Sequence, residues 1–205
     1  MGIRGQPTKN LQGCMNFDLT DKGRSQAAKL GDFWSGRHTL DEIFSSDLTR
    51  AHETAKAIGT EQRLSVQTKE LFREINLGPM EGKTKEKYMK NFPEVKEKTC
   101  FAAGLTGRNG GKTLRIDVKK LRTMLLAAEF EKAAIVSHGG FLTIFLMYLI
   151  LGKDWHRVER PFHMDNTGIT KLVRRGNKLQ VAYLNNRPIY YRKKEQSAMD
   201  CSFLI

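Results

Sequence analysis

The sequence predicts a three-layer α/β/α fold, a mostly parallel sheet covered by helices on both faces. Three observations carry that expectation. Segments of helical period alternate along the chain with short strand-like ones, the pattern of a parallel sheet joined by crossover helices. Ala133-Ala134-Ile135-Val136 is an unbroken apolar run of the kind buried on both faces of a sheet, and it is followed closely by Gly139-Gly140 and a second apolar stretch. Finally, 205 residues with 40% hydrophobic and 28% charged side chains have the size and makeup of one soluble domain. No internal repeat or linker divides it, so residues 1–190 read as a single domain with residues 191–205 as a loose tail.

The first helix runs from Gly23 onward. Ala27, Leu30 and Trp34 recur at helical spacing, and Thr20 or Asp21 is placed to cap it. Glu42-Ile43-Phe44 reads as a short strand stopped by Ser45-Ser46-Asp47. Leu48, Ala51, Ala55 and Ile58 then mark one face of a second helix, with Ser46 or Asp47 as N-cap. The stretch 78–111 holds Pro79, Pro93, several glycines and many lysines. It reads as an insertion that lids a pocket, with a helical piece over 83–91. Leu114, Val118, Leu121 and Leu125 define another amphipathic helix. After the 133–136 strand, Phe141 starts a helix apolar on most sides. Thr167–Val173 and Lys178–Leu184 flank Gly176-Asn177 as a hairpin.

Lys and Arg number 35 against 22 Asp and Glu, a net charge of +13 that favours anionic partners. Cys14, Cys100 and Cys201 are an odd three with no Cys-x-x-Cys pair. That argues against a disulfide framework or zinc ribbon and fits a reducing, cytoplasmic setting. No basic-then-apolar leader opens the sequence, and Cys201 is followed by four residues rather than three, which excludes a prenylation box. Residues 133–151 approach the length of a membrane span, but Ser137-His138-Gly139-Gly140 interrupts them. A buried strand, a turn and a buried helix account for the run.

In open α/β sheets, ligands collect where strands end and helices begin. Two junctions are chemically loaded. In Ser45-Ser46-Asp47-Leu48-Thr49-Arg50, a strand hands over to a helix with Arg50 in its first turn. In Val136-Ser137-His138-Gly139-Gly140, a His stands at a strand tip and small residues let helix N–H groups approach a ligand. A helix N-terminus with a nearby Arg suits an anion. Taken singly, Arg50 would be a solvated charge and Glu74 a surface carboxylate. Gly110-Gly111-Lys112-Thr113 lacks the upstream Gly of a P-loop.

In order along the chain, these pieces resemble a known family. Gly5-Gln6 with Asn10, Gly13 and Asp18-Leu19-Thr20 come first. Ser45–Ala51, Glu53-Thr54-Ala55, Leu71–Gly78 and Glu81-Gly82 follow, then Val136–Gly140, Asn166-Thr167-Gly168 and Leu184–Pro188. Together they are similar to the histidine phosphatases of the phosphoglycerate-mutase-like superfamily, in their small-phosphatase branch. The resemblance spans about Ile3 to Pro188.

It implies phosphomonoester hydrolysis through a phosphohistidine on a small phosphorylated metabolite, with no metal or cofactor. A His in an Arg-His-Gly motif ending a central first strand attacks phosphorus, two Arg and a second His hold its oxygens, and a Glu protonates the leaving oxygen. By position, Arg50 matches the second phosphate-binding Arg, His138 the second His and Glu74 the proton donor. Asn10 lines the pocket, and Gly139 offers an N–H to the oxyanion. Arg4 and Gly5 fall at the first motif.

The departure from the family lies there. The chain reads Ile3-Arg4-Gly5-Gln6-Pro7, with no His before His38. Either the His is deleted and Arg4 is the motif Arg, or Arg4 replaces the His. A guanidinium stays protonated and cannot attack phosphorus. Only Met1-Gly2-Ile3 precede Arg4, a short first strand that would leave ladder partners unpaired. Gly111-Lys112-Thr113 stands where the family often has Gly-Glu-Ser. Catalysis is therefore expected to be severely impaired, leaving His138 as the remaining candidate nucleophile. An alternative is a pseudophosphatase that binds phosphorylated ligands or a protein partner. A third reading is a basic RNA- or membrane-associated module using Lys83, Lys85, Lys87 and Lys90 with Arg174, Arg175, Arg192, Lys193 and Lys194. Aromatic interleaving of the kind nucleic acid requires is missing, so no nucleic-acid partner is expected.

Overall fold

The computed structural model describes residues 10–36, 39–84, 86–87, 90, 110–158, 161–190 and 203–204, with 110–116 and 203–204 described by their backbone alone. Helix α1, Asp21–Trp34, is capped by Thr20, whose Oγ1 accepts from the Gly23 N–H at 3.0 Å. It turns Ala27, Leu30, Phe33 and Trp34 inward. Strand β1, Glu42–Ser45, sends Ile43 to one face and Phe44 to the other.

Helix α2, Thr49–Gln62, begins one or two residues later than a cap at Asp47 or Ser46 would place it. Its cap position is Leu48, which has no side-chain cap. The Ser46 hydroxyl instead accepts from the Leu48 N–H, and Asn16 Oδ1 accepts from the Thr49 N–H at 2.8 Å. Ser46 and Asp47 belong to the turn, and a loop distant in sequence satisfies the helix end. Gly31 lets α1 and α2 approach closely, since a Cβ there would lie 2.7 Å from the Ala57 carbonyl oxygen.

A short strand β2, Val66–Thr68, was not legible in the sequence. Helix α3, Gly110–Leu126, starts inside the stretch assigned to the insertion, and its Val118, Leu121 and Leu125 are fully buried. Of the expected lid, Gly78–Met80 is a single tight turn. Of the helix expected over 83–91, positions 86, 87 and 90 are helical, while 85, 88, 89 and 91–109 lie outside the described residues. Strand β3, Ala133–Val136, leads into helix α4, Gly139–Leu151, in which Phe141 to Met147 are buried without a break. Burial on all sides accounts for the apolar run. Among the described residues no helix is long and apolar enough to cross a membrane.

The last paired strands, β4 (Ile169–Arg175) and β5 (Lys178–Asn186), form the expected antiparallel hairpin around Gly176, whose φ is +57°. β1 runs parallel to both β2 and β3. One apolar cluster joins Phe44, Ile135 and Leu172 of the sheet to α3 and α4. The other joins Ile43, Ala134 and Ile169 to α1 and α2. The sheet is thus covered on both faces, as three layers require.

The sheet order is β2-β1-β3-β6-β4-β5, where β6 is Phe203–Leu204. It runs parallel to β3 and antiparallel to β4. The tail 191–205 was expected to be loose. Residues 191–202 and 205 lie outside the described residues, but Phe203 and Leu204 stand in the middle of the sheet. Two apolar residues carry no periodicity, so only tertiary pairing reveals the strand.

Candidate functional site

The tips of β1 and β3 open on the same edge of the sheet, tied together where the Ser46 N–H donates to the Val136 carbonyl at 2.9 Å. The helices that follow them point their N-termini at one cavity of about 650 Å³, whose lining includes Asn10, Arg50, Glu74, His138 and Gly139. The two sequence junctions therefore meet in space. Arg4 and Gly5 lie outside the described residues.

Arg50 is not a solvated charge: it is 2% exposed. Its guanidinium donates to the carbonyls of Gly13 at 2.9 Å and Met15 at 2.8 Å, and Thr54 Oγ1 donates to the Arg50 carbonyl. Desolvation lowers its pKa, while Glu74, Cys14 and Glu81 raise it. The guanidinium remains a cation, so the cavity holds a fixed positive charge clamped by a loop.

His138 occupies the cap position of α4 and is 6% exposed. Its carbonyl accepts from the Leu142 N–H at 2.9 Å. Its Nε2 is buried with no hydrogen-bond partner. Burial, followed by the neighbouring Arg50 charge, holds its pKa well below the ordinary histidine value. The ring thus favours its neutral form, and its Nε2 is an unsatisfied polar atom on the cavity wall.

Glu74 is not a free surface carboxylate. Its Oε1 accepts from the N–H groups of Ile75 and Phe141, both at 2.9 Å, and its Oε2 from that of Gly140 at 3.2 Å. The carboxylate thus caps α4 from a distant loop, where the positive end of the helix favours it. Gly140 is needed for this, because a Cβ there would stand 2.5 Å from Glu74 Oε1.

Sequence reasoning missed the supporting residues. Glu81 Oε1 accepts from the N–H groups of Cys14 at 2.8 Å and Leu77 at 2.9 Å, fastening the loop that holds Arg50. Gly13, at φ +51°, passes so close that a Cβ would collide with that carboxylate. The Cys14 thiol donates to the Glu74 carbonyl at 2.9 Å. Burial, then Glu81 and Glu74, push its pKa up to about 11, so Cys14 is not a ready thiolate nucleophile.

At the rim, Asn185 and Asp165 exchange two hydrogen bonds, with His163 Nε2 at 3.4 Å and Arg187 at 3.7 Å from the Asp165 carboxylate. Asn10, half buried, donates to the Gly82 carbonyl at 3.2 Å. These partners are separated by up to 72 residues. The matching text held Asn10, Glu81-Gly82, Asn185 and Arg187, with Asn10 expected at the pocket, but it did not show how they pair. Among the cations of the proposed basic face, Arg174 turns inward and donates to the carbonyls of Leu126 and Ala128 at the end of α3.

The fold thus brings a buried Arg, a buried His and a Glu fixed at a helix N-terminus together on one cavity at paired strand tips. The sequence pattern of the histidine phosphatase superfamily (branch 1) matches residues 4–187, and the chain belongs to that family. Phosphoglycerate mutase-like protein 4 of Arabidopsis thaliana is 30% identical over 142 residues, which take in 65% of this chain and 61% of the relative. The chain thus matches about three fifths of that relative's length. A phosphoserine phosphatase of Entamoeba histolytica, solved with 3-phosphoglyceric acid, shares the fold at a TM-score of 0.68. It is 26% identical, with 89% of this chain and 91% of that one covered. YhfR of Bacillus stearothermophilus superposes at a TM-score of 0.78 with 24% identity, covering 91% of this chain and 93% of its own.

Proposed function

We propose that the cavity binds the phosphoryl group of a small phosphorylated metabolite, and that this chain hydrolyses the phosphomonoester only slowly. The carrying observation is the juxtaposition, on one cavity, of buried Arg50 with the neutral and unpartnered Nε2 of His138. Arg50 supplies charge for the equatorial oxygens, the main requirement of phosphoryl transfer. The 3-phosphoglyceric acid complex of the Entamoeba relative supports a small phosphorylated acid as the ligand class.

His138 is the nucleophile on this reading. Attack by its Nε2 forms an N–P bond as the P–O bond to the leaving group breaks, and Glu74, once protonated, gives the leaving oxygen its proton. Water then cleaves the N–P bond to release phosphate and regenerate the imidazole. A neutral imidazole is competent for the first step. Turnover is slow because one His must do work that the family divides between two, since no His precedes His38 in this chain. Losing a nucleophile typically reduces kcat by several orders of magnitude. The inward-turned Arg174 weighs against a nucleic-acid or lipid surface built on that cation.

Hydrolysis of p-nitrophenyl phosphate, with inorganic phosphate titrated calorimetrically in parallel, tests the proposal using His138→Ala and Arg50→Ala as controls. Slow turnover lost in both controls supports it. Phosphate binding without turnover, lost in Arg50→Ala, keeps the binding site but makes the chain a pseudophosphatase. A folded protein showing neither turnover nor phosphate binding sinks the reading.

A further inference from the structure

Among the described residues the sheet consists of two halves, β2-β1-β3 and β4-β5, with β6 between them. Strands in a sheet lie about 4.8 Å apart, so β3 and β4 are separated by roughly twice that and cannot bond directly. The positions flanking the gap are dry: Ala133 is 1% exposed, Ala134 3% and Leu172 0%. Buried backbone N–H and C=O groups need partners. Phe203 and Leu204 supply them, opposite Ala133 and Ala134 on one side and Leu172 and Lys171 on the other. Four residues beyond Ala134 in the same run of chain is His138. The lining of the cavity includes Ile135 and Val136 of β3 and Ile169 of β4, with Trp34 and Leu30.

We propose that the gap between β3 and β4 is a strand-acceptor groove, that its occupant is Phe203–Leu204 of the same chain, and that seating these residues positions His138. The groove selects an extended peptide, because main-chain bonds to both neighbours give the affinity. The C-terminal end is then a structural element of the site although it lies 65 residues from His138 in sequence, and it acts through β3 rather than by touching a ligand.

Cysteines placed at the register partners Ala134 and Leu204, with Cys14, Cys100 and Cys201 changed to serine, test the seat directly. Paired strand positions are within disulfide reach. Mild oxidation is expected to give an intramolecular disulfide in the monomer, identified by peptide mapping. A disulfide found only between two chains, or none in a folded protein, overturns the proposal. Phe203→Pro in the full chain removes a central ladder donor and is expected to lower the thermal midpoint by about 6–10 °C. Hydrogen exchange at Ala134 and Leu172 should accelerate at least tenfold in that variant. Unchanged melting and exchange would also overturn the proposal. In folded Phe203→Pro the imidazole NMR signals of His138 should shift, and unchanged signals overturn the positioning of His138. None of these readouts depends on phosphatase activity, so failure here is distinguishable from failure of the functional reading.

Discussion

His138 is buried beside Arg50 as a neutral imidazole, and this makes the stability of the fold depend on pH in a definite direction. In the unfolded chain the ring titrates near pH 6.5. In the folded chain its pKa lies well below that, so between the two values only the unfolded state binds the proton. Stability is therefore unaffected by this group above pH 6.5 and falls as pH drops, by about 1.4 kcal/mol per pH unit, until the folded pKa is reached. From pH 6.5 to pH 5 the loss is at most about 2 kcal/mol. Urea unfolding of the wild type and His138→Gln at several pH values between 5 and 7.5 isolates it. Contributions of His52 and the carboxylates are common to both proteins and cancel in the difference. The wild type should lose stability relative to the variant as pH falls, and phosphate should reduce the slope by pairing with the ring. Parallel profiles, or a wild type that gains on the variant at low pH, would refute a buried neutral imidazole.

Gly140→Ala forces a methyl group against Glu74 Oε1 and should destabilise the fold by about 1–3 kcal/mol, read from the urea midpoint. Alkylation of Cys14 by iodoacetamide at neutral pH should run roughly 100-fold slower than for a thiol of ordinary pKa, followed by mass spectrometry of the Cys14 peptide. Arg174→Met leaves the carbonyls at the end of α3 without their donor and should cost about 1–3 kcal/mol, while retention on RNA or anionic vesicles stays unchanged in a pull-down. Glu74→Gln should tighten phosphate binding severalfold in calorimetry while lowering turnover of p-nitrophenyl phosphate.

The layers of the fold were legible because their signals are local. Ala27, Leu30 and Trp34 repeat at helical spacing on α1, and 133–136 reads as buried on both faces because both clusters draw on it. Arg50 and His138 stood out because they occupy strand-to-helix junctions, which the topology brings to one edge. Their burial did not show. An Arg in a first helical turn looks solvated until Gly13 and Met15, more than thirty residues upstream, are seen to accept from it. The cap of α2 was misplaced for a similar reason, since Asn16 replaces the local Ser or Asp as acceptor. Strands β2 and β6, of three and two residues, fall below the length at which alternation can be detected. They exist because neighbours offer them a ladder, not because their own residues demand it.

Glu74 joins the two halves of the site in an electrostatic balance that sets how an anion enters. The N–H groups of Gly140 and Phe141, which an α4 N-terminus would otherwise offer to a phosphoryl oxygen, are already taken by this carboxylate. The same carboxylate helps keep Arg50 charged. Among the described residues lining the cavity, the Arg50 cation is faced by the carboxylates of Glu74 and Asp165. On the proposed function, a bound phosphoryl group competes with Glu74 for the helix end. Withdrawal of the carboxylate frees two backbone donors for the ligand, and its protonation produces the acid that a leaving oxygen needs. Both routes make the carboxylate oppose ground-state binding and assist bond cleavage. This is why neutralising Glu74 should move affinity and turnover in opposite directions, whereas a purely structural helix cap would move neither except through stability.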